Sequence, residues 1–147
     1  MEKLVLISLL SSCVVFTAPF AFIGLDITGH LIPFVGVGLN AGDDYIMASL
    51  GVVYDSTEDT WGFEQSVRYF HMFGSFKIGL NFTTIGVTAE PSFLYILGPE
   101  IGYSFKTGYG TLDLGASVMM TLPFGATSEI EGPIPFLNLI WRFDRLP

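Results

Sequence analysis

From residue 22 onward, apolar residues alternate with small or polar ones at a period of two. That period marks β-strands whose two faces meet different surroundings. Residues 75–83 set Phe76, Ile78, Leu80 and Phe82 against Lys77, Gly79, Asn81 and Thr83. Residues 100–106 set Ile101, Tyr103 and Phe105 against Glu100, Gly102, Ser104 and Lys106. Residues 111–122 set Leu112, Leu114, Ala116, Val118, Met120 and Leu122 against Thr111, Asp113, Gly115, Ser117 and Thr121. In 61–69, Trp61, Phe63, Val67 and Tyr69 oppose Gly62, Glu64, Ser66 and Arg68. Beyond the N-terminus no uninterrupted apolar run reaches the roughly 18 residues of a membrane helix, which excludes a helical bundle of spans. Yet half of the 147 residues are hydrophobic and only 14 % are charged, where a soluble domain carries about a quarter. Strands are then the membrane-facing elements, and in hydrocarbon they span only as a closed barrel, because every backbone amide must be paired internally.

Turn chemistry separates the alternating runs at Asn40 to Asp44, Asp55 to Thr60, Phe73-Gly74, Gly98-Pro99, Thr107 to Gly110 and Pro123 to Pro133. The spacing predicts eight strands, at about 22–40, 45–54, 61–72, 75–83, 86–97, 99–106, 110–122 and 134–143. Around Thr83 to Gly86 the apolar phase shifts from even to odd numbers, which fits a tight turn or a bulge. The first segment is nearly twice the 9–11 residues a tilted membrane strand needs, and Gly29 with Pro33 either bulges or splits it. The expected architecture is all-β: a closed, up-and-down antiparallel transmembrane barrel over residues 22–147, preceded by a signal peptide over 1–21. That leader consists of Lys3, the apolar run Leu4 to Leu10, then Ser11 to Ala21. Leu10-Ser11-Ser12-Cys13 also resembles a lipoprotein signal, in which Cys13 is acylated.

The contents of the polar face decide which side points inward. Glycine recurs there, at Gly24, Gly36, Gly38, Gly51, Gly62, Gly79, Gly86, Gly102 and Gly115. It weakens a solvated strand but suits the crowded lumen of an eight-stranded barrel, which side chains just fill. Arg68, Lys77, Lys106 and Arg142 share that face with Asp26, Glu64, Glu90, Glu100 and Asp113. A nearly balanced set of charges is what a buried lumen requires, since an unpaired buried charge costs several kcal/mol. These nine residues form the expected lumen network. Tyr54, Trp61, Tyr69, Phe76, Tyr95, Tyr103, Phe105, Trp141 and Phe143 lie toward strand ends on the apolar face, as an aromatic girdle would. With the N-terminus in the periplasm, the eight predicted strands put Tyr54, Trp61, Tyr103, Phe105 and Trp141 on the periplasmic rim, and Tyr69, Phe76 and Tyr95 on the outer one.

In pattern, residues 22–143 resemble the small eight-stranded bacterial outer-membrane barrels as a class. The most specific element is Phe136-Leu137-Asn138-Leu139-Ile140-Trp141-Arg142-Phe143, which looks like the C-terminal signal read by the barrel-assembly machinery. It departs from that pattern by Asn138, where the class usually has glycine, and by the continuation Asp144 to Pro147. The resemblance implies an exported protein of the outer membrane, with lipid and the assembly machinery as its partners.

A net charge of −8 with no basic stripe argues against a nucleic-acid role. Some barrels of this class modify lipids, so His30, within i, i+4 reach of Asp26 on one strand, could form a nucleophilic triad with Ser92 or Ser104. As a structural residue it is instead a lumen histidine in a hydrogen-bonded network; His71 reads as interfacial. Asp43/Asp44 and Asp55/Glu58/Asp59 could hold Ca²⁺ or bridge lipid phosphates, or be ordinary solvated turns. No metal-ligand spacing, cofactor motif or small-molecule substrate site is identified. The expected function is structural, anchoring or partner-docking rather than catalytic, because eight strands leave no porin-sized channel. The alternatives are a soluble exported lipocalin-like carrier with its apolar face inward, a lipid-modifying membrane enzyme, and a narrow pore.

Overall fold

Three glycines in the left-handed region of the backbone turn the chain sharply: Gly29 (φ 67°), Gly42 (φ 66°) and Gly74 (φ 66°). A residue with a Cβ enters that region only at a cost. Thr28 pairs with His30 around Gly29, Ala41 with Asp44 around Gly42, and Phe73 with Phe76 around Gly74. The computed structural model describes residues 18–56, 59–87, 92–123 and 132–143. Its strands are β1 (Ala18–Thr28), β2 (His30–Ala41), β3 (Asp44–Asp55), β4 (Thr60–Phe73), β5 (Phe76–Val87), β6 (Ser92–Lys106), β7 (Thr111–Thr121) and β8 (Ile134–Phe143). Each pairs antiparallel with its neighbours, and β1 closes on β8 through Ala21↔Phe143 to Ile27↔Leu137. Closure leaves no unpaired sheet edge.

The strand count matches the expected eight, but two boundaries differ in ways that compensate. The segment 22–40 is not one strand: Gly29 folds it into the β1–β2 hairpin, and β1 begins at Ala18, so the expected leader boundary after Ala21 falls inside it. Conversely, 86–97 and 99–106 are not two strands. Gly98 and Pro99 lie within β6, where Pro99 pairs with Leu80 of β5. On the β7 side the ladder skips Gly98 and Pro99 and resumes in the same register, as a residue without an N–H dictates. Neither a turn nor a bulge occurs at Thr83 to Gly86. β5 runs on, with Ile85 packed against a lumen cluster of Ile96, Met119 and Phe136. Gly86 therefore lies on the outer wall against the Phe63 ring, not on the polar face.

The two ends of the barrel differ. The end holding Ala18 and Phe143, here called the lower end, has two-residue turns at Gly42-Asp43 and Gly74-Ser75 and the short loop 107–110. There the Thr107 backbone N–H donates to the Gly110 carbonyl at 2.8 Å. The upper end carries the tight turn at Gly29, the connections 56–59 and 88–91, which match 107–110 in length, and the longest connection of the barrel, 122–133.

The apolar phase faces outward. Leu80 is 54 % exposed, Leu114 42 % and Val118 50 %. A carrier of the lipocalin type needs these side chains inside, so that alternative does not describe this barrel. Glycine makes the opposite wall passable where side chains crowd: a Cβ on Gly79 would run into the Tyr69 carbonyl oxygen and the Phe70 ring. Gly79→Ala is therefore expected to cost about 1–3 kcal/mol by overpacking. A shift of the urea midpoint in detergent measures it, and an unchanged midpoint would show that the wall yields.

Candidate functional site: the charged lumen

Strand pleat brings the even-numbered residues of β1, β2, β4, β6 and β8, and the odd-numbered residues of β3, β5 and β7, to the interior. Of the nine charged residues expected there, Asp26, Glu64, Arg68, Lys77, Glu100 and Asp113 are at most 1 % exposed, and the Arg142 side chain is 13 % exposed. Lys106 does not join them: it has the right phase, but as the last residue of β6 it is exposed at the lower rim. Glu90 lies outside the described residues, as do Cys13 with the leader through residue 17, Glu58, and the tail Asp144 to Pro147.

The charges form two groups. On the β1–β4 side, Arg68 donates to Asp26 and its Nη2 lies 3.9 Å from Glu64 Oε1, while its guanidinium stacks 4.8 Å from the Phe34 ring centre. On the β5–β8 side, Arg142 grips Asp113 by Nε at 2.8 Å and Nη2 at 3.2 Å. Ser104 donates to the same carboxylate at 2.6 Å, and Asn138 donates to Glu100 at 2.6 Å. Lys77 Nζ stands between Asp113 and Glu100 at 3.8 and 3.9 Å, above the Phe70 ring at 4.1 Å. Gly102 makes this possible, since a Cβ there would meet the Lys77 stem. Four carboxylates and three cations thus share the described lumen, held by four cation–ring contacts besides the ion pairs, where burial strengthens both.

Much of the packing around this network is apolar. Phe20, Phe22, Phe34, Tyr45, Met47, Phe70 and Ile140 make one buried cluster, toward the lower end, and Ile96, Met119 and Phe136 make another toward the upper. Their signal was present in the sequence: each lies on the alternation phase that carries the buried charge or the small residues of its own strand, Phe34 with Gly36 and Gly38, Tyr45 and Met47 with Ser49 and Gly51. Arg142 bridges network and cluster, lying 4.8 Å from the Tyr45 ring centre and 5.5 Å from that of Phe20.

The catalytic constellation is not assembled. His30 is not on a strand with Asp26: it opens β2 beside Gly29 and is exposed, while Asp26 is engaged by Arg68. Ser104 gives its hydroxyl to Asp113. Among the described residues, no three His, Cys, Asp or Glu side chains converge as metal ligands. The turn acids are used otherwise. Asp44 accepts from Tyr69 at 2.6 Å and pairs with His71 Nδ1 at 2.8 Å, and Asp59 accepts from Tyr54 at 2.7 Å.

The aromatic residues form two rings on the outer wall, distributed otherwise than the expected strand directions implied. Tyr69, Phe76, Tyr103, Phe105, Trp141 and Phe143 lie toward the lower end, and Tyr54, Trp61 and Tyr95 toward the upper. Splitting 22–40 reverses every strand up to β5, which exchanges the ends assigned to Tyr54, Trp61, Tyr69 and Phe76. Counting β6 as two strands restores the expected direction of β7 and β8.

A closed eight-stranded antiparallel barrel with a polar, ion-paired interior and an apolar exterior is the class that fold and site define. No protein family matches the chain by sequence, and no curated protein does. In fold it is similar to the crystal structure of Neisserial surface protein A, with a TM-score of 0.55 at 13 % identity, over 86 % of this chain and 94 % of that one.

Proposed function

We propose that this chain is an exported outer-membrane barrel whose work is structural: an anchor, or a docking partner within the membrane, with an ion-paired plug for a lumen. The observation that carries this reading is the outer wall, where aliphatic and aromatic side chains face outward on all eight strands while the charges of the strand interiors point inward. In water such an exterior would be a liability far larger than the apolar patches of soluble monomers. In hydrocarbon it is required. The two-residue turns at the lower end and the longest connection, 122–133, at the upper support a periplasmic lower end and an extracellular upper one in this reading, with Ala18 and Phe143 on the periplasmic side. Trp141 and Phe143 then face outward at the end of β8, for reading by the assembly machinery, and the segment before β1 serves as the export signal. The likeness to a surface protein of Neisseria supports the same location.

The test is fractionation of envelopes from cells producing the full chain, with electrophoresis before and after boiling. The expected result is recovery in the detergent-extracted membrane fraction, with a mobility that changes on heating as the barrel unfolds. Recovery in the aqueous fraction without detergent would overturn the reading.

A further inference from the structure

The outward phase between the two aromatic rings is apolar throughout the described strands, with one interruption: Gln65 on β4 and its cross-strand neighbour Thr84 on β5. Gln65 is exposed and Thr84 half-buried, and the Gln65 amide has no hydrogen-bond partner among the described residues. Its position on β4 is four residues from Trp61 and four from Tyr69. At about 3.3 Å per residue and a tilt near 40° it lies roughly 10 Å from either ring along the barrel axis. In a bilayer that is the middle of the hydrocarbon, where neither water nor a lipid headgroup reaches an amide. Beside Gln65 the wall is concave. A groove of about 660 Å³ runs over Ala21, Val35, Ala48, Leu50 and Val67 to Gln65 itself. It is continuous through Ile23, Val35 and Leu50 with a second of about 680 Å³ that reaches Trp141.

We infer that this β1–β4 wall is a docking surface for a second copy of the same chain, with the Gln65 amides of the two copies bonding to each other across a two-fold axis. A primary amide carries two donors and an acceptor, so it complements its own image, and a closed pair is the commonest symmetric assembly. An acyl chain can fill the groove but offers the amide nothing. The short aliphatic side chains that line most of the groove let two walls approach closely enough for the amides to meet. This inference rests on the proposed membrane location.

Its test is reconstitution of the full chain into phosphatidylcholine vesicles, with energy transfer between copies labelled on exposed amines such as that of Lys106. Energy transfer is recorded as the protein-to-lipid ratio rises. The unaltered chain is expected to associate. Gln65→Leu should need a ratio about tenfold higher, the scale of one polar contact between spans. Ala48→Trp, which fills the groove and leaves Gln65 untouched, should block association independently. A chain that fails to insert, seen as unchanged mobility on heating, overturns the membrane location itself. Inserted barrels that stay monomeric at every ratio, with lipid alone in the groove, overturn only the pairing. So does association indifferent to both substitutions, and so does association blocked by Ala48→Trp but unchanged by Gln65→Leu.

Discussion

Arg68→Met is expected to lower the unfolding free energy of the barrel by about 3–5 kcal/mol, the cost of orphaning a fully buried ion partner. Arg68 is 1 % exposed, donates to Asp26 and stands 3.9 Å from Glu64. Methionine fills much of the volume and keeps contact with Phe34, so packing changes little. What changes is that two carboxylates are left in the β1–β4 half of the lumen with no cation. Arg142→Met should cost less, although its geometry is better. Asp113 would still have Ser104 at 2.6 Å and Lys77 at 3.8 Å, and the Arg142 side chain is already 13 % exposed. The decisive control is Arg68→Met combined with Asp26→Leu and Glu64→Gln. Removing the whole ionic group together should recover most of the loss, because a buried pair replaced by well-packed apolar residues is often neutral or better. Urea titration in detergent, read by the fluorescence of Trp61 and Trp141, measures all of these. A single variant within about 0.5 kcal/mol of the parent, the range of ordinary surface changes, would mean that the Asp26–Arg68 contact does not support the fold.

The faces of the strands were legible in the sequence because burial imposes a period of two, whereas the strand ends were not. The reason lies in the turn at Gly29. Thr28 and His30 pair across it, so even-numbered residues point inward on both β1 and β2, and the alternation passes through the hairpin without a change of phase. At Gly98-Pro99 the phase is equally continuous, for the opposite reason that the strand does not turn. Sequence punctuation looks stronger at Gly-Pro than at Gly29. Only the partners, Leu25↔Pro33 in one case and Leu80↔Pro99 in the other, separate the two. The charged lumen was legible wherever a charge lay mid-strand on the inward phase. Lys106 escaped that logic because phase says nothing about depth. The inward aromatics escaped because hydropathy alone assigns them outward, although Phe34 shares the phase of its strand's small residues Gly36 and Gly38. Gln65 carried the reverse signal, a polar side chain on the outward phase halfway between Trp61 and Tyr69.

The depth dependence of a charge on the outer wall separates a membrane barrel from any soluble one. Leu80 is 54 % exposed on β5, and its flanking partners Tyr69 and Pro99 also face outward. Leu80→Lys deletes almost no internal packing and, in water, would be near neutral or would improve solubility. In a bilayer the same ammonium enters hydrocarbon, where a lysine near the midplane costs about 2–4 kcal/mol and one near the interface about 0–1 kcal/mol. Phe73→Lys is the matched control: it is 59 % exposed, lies on the same outward phase, and sits at the last residue of β4 beside the Gly74 turn. Reconstituted in vesicles, Leu80→Lys is therefore expected to lose several-fold more stability than Phe73→Lys. Equal effects at the two depths would place the wall in water. The distinction holds whatever the barrel docks, because it depends only on the solvent its exterior was built to meet.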